Sequence, residues 1–245
     1  MKAKLLQLRD AIFRRRFLFL FLALLLPYLI HPLIATEVVG IAILDLAFSL
    51  VLIMGVFAVS DRKHLAVTAL ALVLLAQALT WTSHAVSNHL LILTGTAVNG
   101  LYLIYTAGLL LRHVIRSRAP TSNTIFAALC IYLLLGFIWA FVYSFLQDVD
   151  PGAFFFDQRL FNLNTEGKHL FSELYYFIYF SFTTLTTLGF GDIMPASPWS
   201  RMLVSMEAVL GQLYLVVMVT YLIGLHINER NAARNRPTGT SERSK

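Results

Sequence analysis

Tyr179-Phe180-Ser181-Phe182-Thr183-Thr184-Leu185-Thr186-Thr187-Leu188-Gly189-Phe190-Gly191-Asp192-Ile193-Met194-Pro195 is an apolar, threonine-rich run that breaks off into two glycines at alternate positions. Residues 170–188 are apolar enough to enter a bilayer, and they sit between two longer apolar stretches, 125–146 and 199–227. Their threonines and terminal glycines read as a half-helix that enters and returns. Non-helical backbone at membrane depth persists only where protein buries it or where it lines a water-filled path. Glycine accepts positive φ without a Cβ penalty, so Gly189 and Gly191 can turn successive carbonyls toward one axis.

Composition supports the membrane reading. Hydrophobic residues make up 58% of the chain, charged residues 13%, and mean hydropathy is +0.72. Soluble domains carry about 25% charged residues, so lipid must cover this apolar surface. The single cysteine, Cys130, lies inside an apolar run and excludes an intrachain disulfide and a cysteine metal site.

A crossing helix needs about 20 apolar residues, and six stretches qualify: 17–35, 38–60, 65–82, 90–111, 125–146 and 199–227. Sixteen of the 19 Lys and Arg residues fall on one side of these spans, at Lys2–Arg16, Arg62–Lys63, Arg112–Arg118 and Arg230–Lys245. Arg159, Lys168 and Arg201 alone fall on the other. Basic residues favour the cytoplasm, so both termini are expected there, in the cell membrane. A full crossing by 170–188 would put the basic tail outside, so charge independently favours the re-entrant reading. Before the first span, Leu5, Leu8 and Ile12 recur at helical spacing beside Lys2, Lys4 and Arg9, as in a helix on the membrane surface or a frayed basic tail.

Rings of backbone carbonyls can replace the hydration shell of a potassium ion. The carbonyls of Leu188, Gly189 and Phe190, with the Thr187 hydroxyl below and Gly191 above, supply such rings, and four copies of Asp192 would concentrate cations at the outer mouth. The run 171–227 resembles the pore of the potassium-channel superfamily. The likeness is carried by Y-F-S-F-T-T-L-T-T-L-G-F-G-D-I-M-P, then W-S-R, then E-A-V-L-G-Q-L-Y. It is most similar to bacterial channels in which extra spans precede an outer helix, pore loop and inner helix. The family pattern has Val-Gly-Tyr where this chain has Leu188-Gly189-Phe190. Ion contacts are made by backbone, so the resemblance implies preserved selectivity, while Phe190 lacks a hydroxyl to brace the filter from behind. It also implies support of the pore helix by Thr183, Thr184, Thr186 and Glu207.

Gly211 falls where the family often places a hinge, and equally suits close helix packing. Thr220, Ile223 and Ile227 follow at helical spacing as candidate lining of the inner vestibule, or as ordinary packing. Asp45 is costly within the second span; it reads as a polar staple, with Gln77, Thr80 and Asn99 as partners by depth, or as an ion site. The fourth span, 90–111, contains no Lys or Arg, so strong voltage gating through it is not expected. Outside, Asp148, Asp150, Asp157 and Glu166, with Glu173 just beyond, suit cation gathering or equally a solvated turret, and Phe154-Phe155-Phe156 suits packing at the helix ends or membrane interface.

The expected fold is an all-α membrane protein: six transmembrane helices, a re-entrant pore helix and a filter, tetrameric around a central pore. Residues 1–16 form a basic interfacial segment, 17–118 a four-helix unit, 123–227 the pore unit, and 228–245 a short cytoplasmic tail. The expected activity is passive potassium permeation, with K+ as the permeant ion, no cofactor and no enzymatic chemistry. Expected partners are identical subunits and the bilayer, with anionic lipid near the basic termini, and neither nucleic acid nor a soluble substrate. Alternatives are a potassium transporter component, disfavoured by a single pore loop per chain, and a weakly selective cation channel. Pro27 and Pro32 could break the first span, the one transporter-like feature.

Overall fold

Long apolar runs carry their own backbone hydrogen bonds into a bilayer most simply as helices. The computed structural model describes residues 16–34, 38–59, 63–86, 88–117, 121–157 and 170–234. Its helices are α1 (Arg16–Ile34), α2 (Val38–Val59), α3 (Lys63–Ala85), α4 (His89–Arg116), α5 (Ser122–Val149), α6 (Leu170–Leu185) and α7 (Pro198–Arg234). Four segments are long and apolar enough to cross a membrane among the described residues: His64–Thr82, His89–Arg116, Ser122–Val149 and Pro198–Ile227. In α1 and α2 the apolar portions with described side chains, Arg16–Leu29 and Leu46–Ala58, are shorter. The helix of α1 continues through Pro27 and Pro32, so neither breaks it; prolines are tolerated in such helices where neighbours and local adjustments re-satisfy the backbone.

Local signals set the helix starts. Asn88 caps α4 by accepting the Leu90 N–H at 2.9 Å, and Thr121 caps α5 by accepting the Thr124 N–H at 3.3 Å. At the start of α7, the Ser200 N–H donates to Ser197 Oγ at 3.2 Å, and the Ser197 N–H donates to Ser200 Oγ at 3.1 Å. This reciprocal arrangement satisfies two orphan donors, with Pro198 in the first turn, where its missing N–H costs nothing.

The all-α expectation needs one correction. Phe154–Phe156 (β1) pairs antiparallel with Ile193–Pro195 (β2), in the register Phe154↔Pro195, Phe155↔Met194 and Phe156↔Ile193. The phenylalanine run therefore packs partly as a strand that grips the residues just beyond the glycine loop. Its inward ring, Phe154, lies 5.2 Å from Tyr143, 5.0 Å from Phe177 and 5.6 Å from Phe180, centroid to centroid. Those contacts bury Phe154 and turn Phe155 outward, the alternation of a strand.

Packing is continuous from the first helix to the last. α4 lies against α3 and α5, α1 against α2 and α5, and α6 against α5 and α7, while α2 also reaches α6. One cluster of buried apolar side chains accordingly extends from Phe17 to Met218. The expected surface helix near Leu5, the acids Glu166 and Glu173, and the tail from residue 235 lie outside the described residues or side chains, as does the side chain of Asp45.

Candidate functional site

The site is built at the end of α6. Thr183 lies in the last turn, and its carbonyl accepts two N–H bonds, from Leu188 at 2.8 Å and Gly189 at 3.1 Å. The Thr184 carbonyl accepts the Thr187 N–H at 2.9 Å. These bonds satisfy carbonyls that a helix C-terminus otherwise leaves open, and they fold the following chain back on the helix. The Thr183 hydroxyl donates to the Phe180 carbonyl at 2.8 Å and the Thr186 hydroxyl to the Phe182 carbonyl at 2.6 Å. Support of the loop thus comes chiefly from backbone carbonyls of Thr183 and Thr184.

Beyond that turn the backbone alternates in hand. Thr187 has φ 60°, Gly189 φ 53° and Gly191 φ 80°, whereas Leu188 and Phe190 keep negative φ. Such alternation turns successive peptide carbonyls toward the same side. Glycine adopts it freely; a β-branched residue does not, and Thr187 is the outlier. Conformations of this kind cost about 1–3 kcal/mol and collect at functional sites. Residues 186–191 are exposed in the single chain.

Tyr179 holds the C-terminal end of the loop. Its hydroxyl donates to Asp192 Oδ2 at 2.7 Å, and its ring stacks on Phe190 with centroids 6.3 Å apart and planes 7° from parallel. The other Asp192 oxygen accepts the Ile193 N–H at 3.0 Å, and its carbonyl accepts the Asp157 N–H at 3.0 Å. Asp192 is therefore a half-buried anchor as well as a charge near the loop. Sequence reasoning does not single out Tyr179, because it is one aromatic among several between residues 175 and 182.

Glu207 lies fully buried on α7, against α5 and α6. Tyr143 donates to its Oε2, and its Oε1 meets the Ser181 hydroxyl. Ser181 also bonds the Gly136 carbonyl at 2.8 Å. Sequence reasoning singles out neither Tyr143 nor Ser181, although a lone serine among aromatics is the sort of signal that could have found Ser181.

Gly211 faces the C-terminus of α6: a Cβ there would stand 2.7 Å from Leu185 Cδ1 and 3.1 Å from its carbonyl oxygen. Close approach thus requires a glycine at this place. Thr220, Ile223 and Ile227 are exposed along α7 of the single chain, and the Thr220 hydroxyl donates to the Val216 carbonyl at 2.7 Å. In the four-helix unit, Gln77 donates to Ser49, and Asn99 donates to Thr80 Oγ1 at 3.2 Å and to the Gly95 carbonyl at 3.0 Å. The three partners expected for Asp45 thus bond one another or Ser49.

Residues 124–226 match a family model described as Ion channel. The match runs over α5, β1, α6, the glycine loop, β2 and most of α7, less than half of the chain, and is a likeness of this region to ion channels. Helices α1–α4 lie outside it. No curated protein and no solved structure gives a significant match.

Proposed function

We propose that the chain is one subunit of a potassium-selective channel in which four copies surround a pore lined by residues 187–191. The observation that carries this reading is the alternate-handed backbone at Thr187, Gly189 and Gly191, directly after a half-helix that packs between two longer helices. Carbonyls aligned in this way offer oxygen rings that substitute for the hydration shell of K+. The Thr187 hydroxyl adds a ring at the inner end, and Asp192 adds negative charge at the outer one. An ion enters because the rings replace its lost water, and leaves because the next ion displaces it along the row. Leu188 and Phe190 act through their carbonyls, so their departure from Val and Tyr leaves ion identity unchanged.

Two features support assembly around an axis. The loop and the large apolar side chains along α7, among them Met206, Val209, Leu213, Val216 and Val217, are exposed in the single chain. One filter strand cannot surround an ion, whereas four can. The six spans put both termini in the cytoplasm, following the basic residues. α4 carries no Lys or Arg before Arg112, so gating is not strongly voltage-dependent.

The test is the reversal potential of the purified chain in liposomes, potassium on one side and sodium on the other. A value near the potassium equilibrium potential, abolished by Gly189→Ala, is the expected result, because φ 53° excludes a Cβ without strain. A value near zero with clear current would replace selectivity by a general cation pore, and tracer uptake without current would favour a transporter.

A further inference from the structure

Glu207 is completely buried, in a segment long and apolar enough to cross a membrane, and both of its described partners are neutral hydroxyls. An ionised carboxylate so placed carries a large desolvation penalty, and among the described residues no opposite charge meets it. The hydrogen-bond pattern makes the same point by counting protons. A hydroxyl has one proton to donate. Tyr143 gives its own to Glu207 Oε2. Ser181 Oγ stands against two acceptors, Glu207 Oε1 and the Gly136 carbonyl at 2.8 Å, and cannot donate to both. A proton on Glu207 Oε1 completes the set: it donates to Ser181 Oγ, and the Ser181 proton goes to Gly136.

We propose that Glu207 is held as a neutral carboxylic acid in a directed relay, Tyr143 to Glu207 to Ser181 to Gly136, that ties α5, α7 and α6 together, and that its ionisation at alkaline pH releases the half-helix under the glycine loop. Ser181 is two residues from Thr183, whose carbonyl holds Leu188 and Gly189 of the loop in place. Loss of the acid proton leaves one acceptor unmet, and the strain falls on the turn that shapes the loop. Glu207 is thus a positioning residue, reaching the loop only through α6. Among the described residues, the titratable groups facing it are Tyr143 and Tyr132, both on α5, while α6 presents the neutral Ser181. The part of this proposal that concerns flux rests on the channel reading; the protonation state does not.

The experiment uses the full chain in lipid bilayers. Infrared spectra at neutral pH should show a protonated carboxylic acid C=O band in the wild type that Glu207→Gln removes and Ser181→Ala shifts. The glutamine isostere donates to Ser181 and accepts from Tyr143, so its potassium flux should stay within about threefold of wild type, whereas Glu207→Ala should lose about tenfold or more. Wild-type flux should fall as pH rises, and the Glu207→Gln profile should be flatter. Absence of the acid band, or glutamine as damaging as alanine, would overturn the proposal. No flux from any form, with the acid band present, would sink the channel reading and leave the neutral acid standing.

Discussion

Tyr179 does at the back of the loop what Phe190 cannot. Phe190 has no hydroxyl, yet its ring is held flat against Tyr179, whose own hydroxyl fixes Asp192. The C-terminal end of the loop is therefore tied to α6 by one hydrogen bond, which spans thirteen residues of sequence, and one aromatic stack. Tyr179→Phe keeps the stack and removes the bond to a carboxylate; it should cost about 1.5–3 kcal/mol locally. Steady potassium flux should consequently decay faster in this variant, while Tyr179→Leu, which also removes the stack, should decay faster still. Equal persistence in all three forms would show that the loop is braced elsewhere. Thr187 makes the complementary point: its N–H donates to the Thr184 carbonyl, and a threonine with positive φ is not something composition could announce.

Among the elements, α6 is the one whose position matters most, and it is packed through contacts that leave little room. Gly136 on α5 lets the Phe182 ring approach so closely that a Cβ would stand 2.7 Å from it. Gly136→Ala should therefore push α6 outward and destabilise the fold by about 1–3 kcal/mol, read as a lower thermal midpoint in detergent. Adding Phe182→Leu should recover part of that loss, because the two sites share one contact and couple. Failure of the second change to help would mean that the glycine matters for another reason. From the other side, β1 grips β2, and Ser200, buried at the start of α7, donates to the Ala153 carbonyl at 2.6 Å. The glycine loop is thus anchored at its N-terminal end by α6 and at its C-terminal end by this small sheet.

For the whole molecule, the first four helices are more than a detached unit beside the ion-channel region. Tyr28 on α1 lies 5.9 Å from Phe182 and 6.5 Å from Tyr175, ring to ring, so the N-terminal unit touches α6 itself. A cavity of about 300 Å³ separates α1 from the loop, lined by Leu24, Tyr28, Leu133, Thr186, Leu188 and Phe190 among others. Assembly belongs at this scale. Native mass spectrometry of the detergent-extracted chain should give four times the 27.6 kDa subunit, and a stable monomer or dimer would remove the basis for a pore lined by four loops.

Much of this is legible in one dimension. Helix positions follow from the length of apolar runs and the candidate loop from Gly189 and Gly191, whereas the re-entrant reading, drawn from threonines, glycines and the placement of basic residues, belongs to the proposal. These are local properties, repeated along a few turns, and a bilayer leaves the backbone few alternatives to a helix. The partners are not legible. Glu207 meets Tyr143 across 64 residues and Ser181 across 26, and Phe154 finds its strand partner beyond the loop. Which side chains meet at such separations depends on how helices rotate and cross, and that is settled by packing of the whole core. The sequence alone determined that a glycine loop is presented between membrane helices; only the tertiary structure decided which tyrosines, serine and carbonyls hold it there.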